Sequence, residues 1–302
     1  MWFKNLKLFR LSTEGTYARE ILEKQLQAHA FVSQASAKEP NLGWVPPRQG
    51  QDALVVEVNK QLLFALRVEK KLLPSSVVQT VVRERAADLE AQQGFKPGRK
   101  QVKDLKEQVI DELTPRAFSI ARDIHIWLDP INRWFVIDSA STGGAEQVLT
   151  FVGKSVHPYP IEPLTLTHSP SAIMTNWMLE QTPATGLSLE QDCQWQTSGQ
   201  QGGSVRYVRH DITPEEIARH IQAGHQCNRL GLTWQDRISF VLTDEFDIKR
   251  LQALDILDEQ DGGASLDAQE KLDADFALMT AEVIPMLNTL LEAVNGPIGD
   301  EK

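Results

Sequence analysis

Five cations, Lys96, Arg99, Lys100, Lys103 and Lys106, fall within eleven residues of a chain whose formal net charge is −10. A chain this acidic repels polyanions, so a local basic run at the start of a predicted helix is a candidate anion-binding surface. The run leads to Arg116 and then to Phe118, an apolar aromatic just past a predicted helix end. A second basic group, Arg206, Arg209 and His210, stands just before Thr213-Pro214-Glu215-Glu216. There a capping threonine, a proline at the first helical position and a glutamate closing the capping box start a helix. Donors at that point reach phosphates, and the helix N-terminus adds a favourable dipole. Taken alone, each cluster reads equally well as an ordinary solvated face. No recognition helix and no aromatic run suited to stacking bases accompanies them, which favours backbone binding without sequence preference.

Catalytic chemistry finds less support. The chain holds no phosphate loop, no dinucleotide fingerprint and no nucleophile elbow. Asp129 and Asp138 resemble a paired-carboxylate nuclease site only loosely, because both fall at predicted strand ends where turn roles are commoner. His220, His225 and Cys227 offer nitrogen and sulfur ligands at a spacing that matches no zinc pattern. Gly143-Gly144 ahead of a helix offers backbone N–H groups to an anion, or simply a cap. No catalytic residue, metal or cofactor is expected.

The elements that must position these residues are legible from period and punctuation. Residues 1–10 read as a strand and 14–30 as a helix. Gly43-Trp44-Val45-Pro46-Pro47 reads as a rigid, non-helical corner, since proline fixes φ and removes a donor. Two β-rich runs, 53–58 and 61–68, meet at Asn59-Lys60 as in a hairpin. Pro74 then opens a helix with Val77, Val78, Val81, Val82 and Leu89 on one stripe, ending at Gly94. After Pro97-Gly98 a second helix spans 99–113, with Val102, Leu105, Val109 and Leu113 on one side. The pair makes a finger-like helical hairpin. Strands at 124–128 and 134–137, a helix around 145–152, a linker or mobile loop at 181–204 and strands at 204–208, 237–242 and 247–254 follow. A terminal helix over 267–293 carries Leu272, Phe276, Met279, Val283, Met286 and Leu290 at four- and three-residue steps. Such a seam suits a partner helix or the chain's own core, and Pro285 is expected to kink it. The fold class is α+β.

Bulk properties agree with a soluble protein. The 302 residues are 41% hydrophobic and 24% charged, with no run of the roughly 18 apolar residues that a membrane span requires. The two cysteines, Cys193 and Cys227, suit a reducing, cytoplasmic setting, and the N-terminus lacks the pattern of a signal peptide. Charge is distributed unevenly. Residues 67–116 hold 11 basic against 8 acidic side chains, while 251–302 hold 2 basic against 12 acidic. The expected organisation is a centre and base from 1–73 with 119–180, a finger at 74–118, and a C-terminal α+β region at 181–302 with a dimer-type helix.

Several phrases, taken in order, carry a resemblance: Met1-Trp2-Phe3-Lys4-Asn5-Leu6, the Gly43–Pro47 corner, Glu69-Lys70-Lys71-Leu72-Leu73-Pro74-Ser75 and Pro115-Arg116-Ala117-Phe118-Ser119. Met174-Thr175-Asn176-Trp177, Trp234-Gln235-Asp236-Arg237-Ile238 and Asp273-Ala274-Asp275-Phe276 with Leu278-Met279-Thr280 complete it. Across essentially its whole length the chain resembles the RdgC family of bacterial recombination-associated proteins. The resemblance implies a horseshoe-shaped subunit, a ring-shaped homodimer around double-stranded DNA, nucleoid association and restraint of RecA-promoted recombination without catalysis. It assigns the finger to the subunit's tip, Phe118 to the gate between subunits, Arg209 and His210 to DNA, and the terminal seam to the base contact of the dimer. Two positions depart from the family pattern. Thr114 stands where leucine is expected, and Gly143-Gly144 stands where relatives often carry a lysine pair. The rival reading is a protein–protein regulator of recombination acting through the acidic C-terminal helix.

Overall fold

Apolar residues at every second position give most of this chain strands with two usable faces. In the computed structural model, which describes residues 1–34, 39–48, 50–197, 202–254 and 268–296 with the side chains of 268 and 269 excepted, twelve strands form one sheet. Their spatial order is β2 (Asn41–Val45), β4 (Gln61–Lys71), β5 (Ser119–Asp129), β6 (Trp134–Asp138), β1 (Leu6–Leu11), β12 (Ile248–Ala253), β11 (Ile238–Thr243), β10 (His225–Trp234), β8 (Leu187–Thr197) and β9 (Ser204–Tyr207). The short strands β3 (Val56–Val58) and β7 (Ile161–Glu162) pair with β4 and β1. These pairings are antiparallel throughout. Seven α-helices complete the described chain: α1 (Arg19–Gln27), α2 (Ser75–Gln93), α3 (Arg99–Leu113), α4 (Thr142–Ser155), α5 (Pro170–Glu180), α6 (Pro214–Gln222) and α7 (Ala268–Asn295). The fold is α+β, as the pattern predicts.

The two faces of the sheet meet different fates. One face is apolar along its length, from Trp127, Trp134, Leu6 and Leu8 to Ile248, Leu242, Leu230 and Trp195. Against it lies α7, whose Phe276, Met279, Val283, Met286, Leu287, Leu290 and Val294 are all fully buried. The terminal seam is therefore spent within the subunit, which removes it from the base contact that the resemblance assigns to it. By length and composition Glu270–Asn295 could cross a bilayer, at mean hydropathy 1.3; here it behaves as a core helix. Pro285 sits inside the helix without ending it, and Asp267, the expected first residue, lies outside the described chain.

On the opposite face, Phe64, Leu66, Ile126, Phe135 and Ile137 are covered by Leu22 and Leu26 of α1 and by Val148 and Val152 of α4. That apolar cluster ends at β1 and includes no residue of β8 to β12. Beyond β1 the same face is polar.

Two predicted elements require correction, and two observed elements went unpredicted. The expected linker at 181–204 contains β8, with Leu187, Cys193 and Trp195 buried. The rigid corner is in fact edge strand β2, which Pro46 follows. The helix α5 and the strand β10 have no counterpart in the sequence reading. The hairpin at Asn59-Lys60 forms as expected, with both residues at positive φ (50° and 65°), the backbone of a tight primed turn.

Replacing Met286 by alanine removes fully buried volume from the interface on which both halves of the sheet rest. We expect a loss of about 2–5 kcal/mol of stability, read from urea unfolding, whereas Glu292→Ala on the exposed side of α7 stays within about 0.5 kcal/mol.

Candidate nucleic-acid interface

The finger is α2 and α3 folded against each other. Gly94 closes α2 in the left-handed conformation at φ 80°, where glycine carries no Cβ penalty. Only Val78, Val82 and Val109 are buried between the helices, with Leu73, Val81, Ile110 and Leu113 packed around them. An Arg85–Glu112 pair at 2.6 Å ties the outer sides. This cluster is separate from the two clusters that line the sheet, so the finger holds itself together. Lys96, Arg99, Lys100, Lys103 and Lys106 are all exposed on it. Lys103 approaches Glu107 at 3.8 Å, an exposed pair of little energetic weight.

Phe118 and Arg116 stand at the finger's root. A short 3-10 turn, Thr114–Arg116, ends α3, and the Phe118 carbonyl accepts from the Leu72 amide at 2.7 Å where β4 ends and β5 begins. Phe118 is 84% exposed, and its neighbours Leu72 and Ile120 are 50% and 58% exposed. Beside them runs a shallow groove flanked by Lys70, Lys71 and Arg122. Thr114 is buried, its hydroxyl donating to the Ile110 carbonyl at 2.6 Å; the hydroxyl finds a helical acceptor where leucine would pack.

The second basic group lies far from the finger in sequence, at the β9 edge of the sheet. Directly opposed residues in neighbouring strands share a face. Arg206 opposes Gln194, Gln194 opposes Arg229, and Arg229 opposes Thr243. One step along, Lys249 opposes Val241, which opposes Gly231. Lys7, opposed to Ile137, belongs to this face too. This half of the sheet, whose other face is covered by helices, thus presents on its bare face Arg206, Arg229 and Lys249 around one hollow, with Arg250, Asp192 and Gln194 in its walls. Arg206 and Arg229 are exposed and have no ion-pair partner among the described residues. Lys249 lies 3.7 Å from Asp247 and donates to the Ala140 carbonyl at 2.9 Å. Lys7 is nearly buried between Asp247 and Glu245; burial acts to lower its pKa, but hydrogen bonds and charge from the two carboxylates outweigh that and raise it.

Around β9 the connections are specific. Asp192 accepts from the Arg209 amide at 3.0 Å and pairs with Arg250 at 3.3 Å, fixing Arg209 at φ 50°. His210 stacks on Tyr207 (5.2 Å between centroids) and approaches Glu216 at 3.5 Å. Tyr207 Oη and His220 Nε2 share a 2.8 Å hydrogen bond, and His220 stacks on Trp195. Burial, then His225, lower the His220 pKa in this aromatic setting. The Thr213 capping box forms as read, and the Thr213 amide foremost holds Glu216 below the usual carboxylate range.

Ser141 caps α4, accepting from Gly144 N at 3.1 Å, and the Lys249–Ala140 bond sets this helix start at the rim of the bare half-sheet. A side chain at Gly143 would meet open space, whereas a Cβ at Gly144 would fall 2.5 Å from Ser139 Oγ. A lysine pair here would therefore be accommodated at one position and opposed at the other.

The residues considered for catalysis are otherwise engaged. Asp129, fully buried, accepts from the Ile131 and Asn132 amides, Asn132 Nδ2 and Gln61 Nε2. Asp138 accepts from the Lys4 and Asn5 amides, and burial raises its pKa. Cys227 is buried, its thiol pKa pushed up by burial. Among the described residues no group of three or more His, Cys, Asp or Glu is placed to hold a metal.

Sequence reading identified Arg206, Arg209 and His210 but missed Arg229, Lys249 and Arg250. These sit on two further strands, β10 and β12, and only register brings them beside Arg206.

Comparison with known proteins places the chain. The family model described as "Putative exonuclease, RdgC" matches residues 1–297. A Bordetella parapertussis protein named "Recombination-associated protein RdgC" is 43% identical over 296 residues, 98% of this chain and 99% of its own length. Proteins of the same name from Cupriavidus necator and Herminiimonas arsenicoxydans are each 45% identical over 296 residues, covering 98% of this chain and 99% and 98% of theirs. The chain belongs to the RdgC family, whose named relatives are recombination-associated proteins.

Proposed function

We propose that this protein binds double-stranded DNA through its phosphates, without sequence preference and without catalysis. In this reading it acts as a ring-shaped homodimer in the nucleoid that restrains RecA-mediated recombination. The observation that carries the proposal is the pairing of two exposed basic surfaces, finger and bare half-sheet, on a chain of net charge −10. Lysines and arginines on a sheet face reach phosphates but offer no element to enter the major groove, so sequence is not read. The exposed Leu72, Phe118 and Ile120 at the finger root supply an apolar surface for one subunit contact. Closure around DNA would then slow dissociation without demanding strong contacts.

The rival reading, a regulator acting through the terminal helix without touching DNA, is weakened by α7 itself. Its Asp273, Asp275 and Glu282 pair with Arg48, the N-terminal amine and Arg237, and its apolar seam is buried. The exonuclease reading in the family description loses its best carboxylates, since Asp129 and Asp138 cap backbone amides.

Each phosphate that a cation neutralises contributes about −0.9 to the slope of log affinity against log salt. The variant Arg206→Ala/Arg229→Ala is expected to flatten that slope by about 0.9 for each phosphate left without its arginine, equally on unrelated duplexes. An unchanged slope removes the half-sheet from the interface. Phe118→Ala is expected to keep its fold, weaken the dimer in light scattering and shorten retention on closed circular DNA. Unchanged dimerisation and retention would remove Phe118 from the subunit contact.

A further inference from the structure

At the finger's apex Phe95 is 61% exposed, with Lys96 next to it in sequence and Arg99 and Lys100 at the start of α3 after the loop. Its loop is held by a relay of side chains. Gln93 Nε2 donates to the Phe95 carbonyl at 2.8 Å, Gln101 Nε2 donates to Gln93 Oε1 at 3.1 Å, and the Gly98 amide donates to Gln101 Oε1 at 2.9 Å. Both helix ends and the loop between them are thereby fixed, with Pro97 removing further freedom. An apolar ring is held out into solvent on a pre-ordered support, so little entropy remains to be lost when it meets a partner.

The surrounding charge selects that partner. Two copies meeting finger to finger would bring two sets of cations together, so a second subunit is a poor occupant of the apex. An anionic ligand with an apolar interior meets both features, and duplex DNA has phosphates outside and base faces within. We propose that Phe95 is a base-contacting wedge, inserting at a base step while Lys96, Arg99 and Lys100 hold the flanking phosphates. Side chains used in this way partly unstack the step and deform the duplex. The wedge rests on the DNA-binding reading, and it adds contact with bases to a surface otherwise confined to the backbone.

The test uses the full chain on relaxed closed circular DNA, treated with a type I topoisomerase while protein is bound and then deproteinised. Unstacking by the wild type is expected to shift the topoisomer distribution in proportion to protein bound. Phe95→Ala, matched for occupancy, is expected to lose that shift while keeping the salt slope of binding, and Phe95→Leu to retain most of it. Identical distributions for wild type and Phe95→Ala at equal occupancy would overturn the wedge and leave phosphate binding standing. Absence of binding by either protein at low salt would overturn the DNA reading and the wedge with it. Phe95-dependent binding to anionic phospholipid vesicles, with no effect of the variant on DNA, would reassign the apex to a lipid surface.

Discussion

The structure depends on the burial of one helix against one face of one sheet. Seven apolar side chains of α7 are fully buried there, from Phe276 to Val294, facing strands from both ends of the chain. Each such side chain contributes roughly 1.5–3 kcal/mol of transfer free energy, more than any exposed ion pair supplies. Polar bonds set the helix in register: the N-terminal amine meets Asp275 at 2.8 Å, Arg237 meets Glu282 at 2.8 Å, and the Phe3 amide donates to Met279 Sδ at 3.1 Å. The first and last parts of the chain thus close the core together.

With that face satisfied by α7, the opposite face is free to differ along its length. Under α1 and α4 it is apolar and serves packing. From β12 to β9 no apolar cluster covers it, so its residues must tolerate water, and several are cations. This division explains how an acidic protein presents a basic surface: acidic groups on α7 face the subunit's own cations, while Arg206 and Arg229 lack such partners among the described residues. The finger repeats the pattern on a smaller scale. Three buried valines hold it, and its exposed surface carries the cations from Lys96 to Lys106 toward the apex, with Glu84, Asp88, Glu107 and Glu112 among the acidic groups elsewhere on it.

Legibility in the sequence followed local punctuation. The finger was readable to the residue in α3, since Pro97-Gly98 marks its start and apolar spacing its span. Thr213 announced α6 by chemistry alone. The strand β8 was hidden because its outward positions, Glu190, Asp192, Gln194 and Gln196, give it the composition of a linker, although Leu187, Leu189, Cys193 and Trp195 alternate with them. The half-sheet surface was half legible for a different reason: Arg206 lies beside Arg209 and His210 in sequence, whereas Arg229 and Lys249 join it only through strand register. Phe118 was recognised from its phrase, and its position past the end of α3 already set it at the finger's root, where the β4–β5 ladder holds it.

The most direct test of the central claim is a lysine-acetylation footprint, read by mass spectrometry with and without saturating duplex DNA. The account predicts protection of Lys96, Lys100 and Lys103 on the finger and of Lys249 on the half-sheet, with Lys24, Lys60 and Lys154 modified at unchanged rates. Uniform protection, or protection confined to Lys24, Lys60 and Lys154, would contradict it.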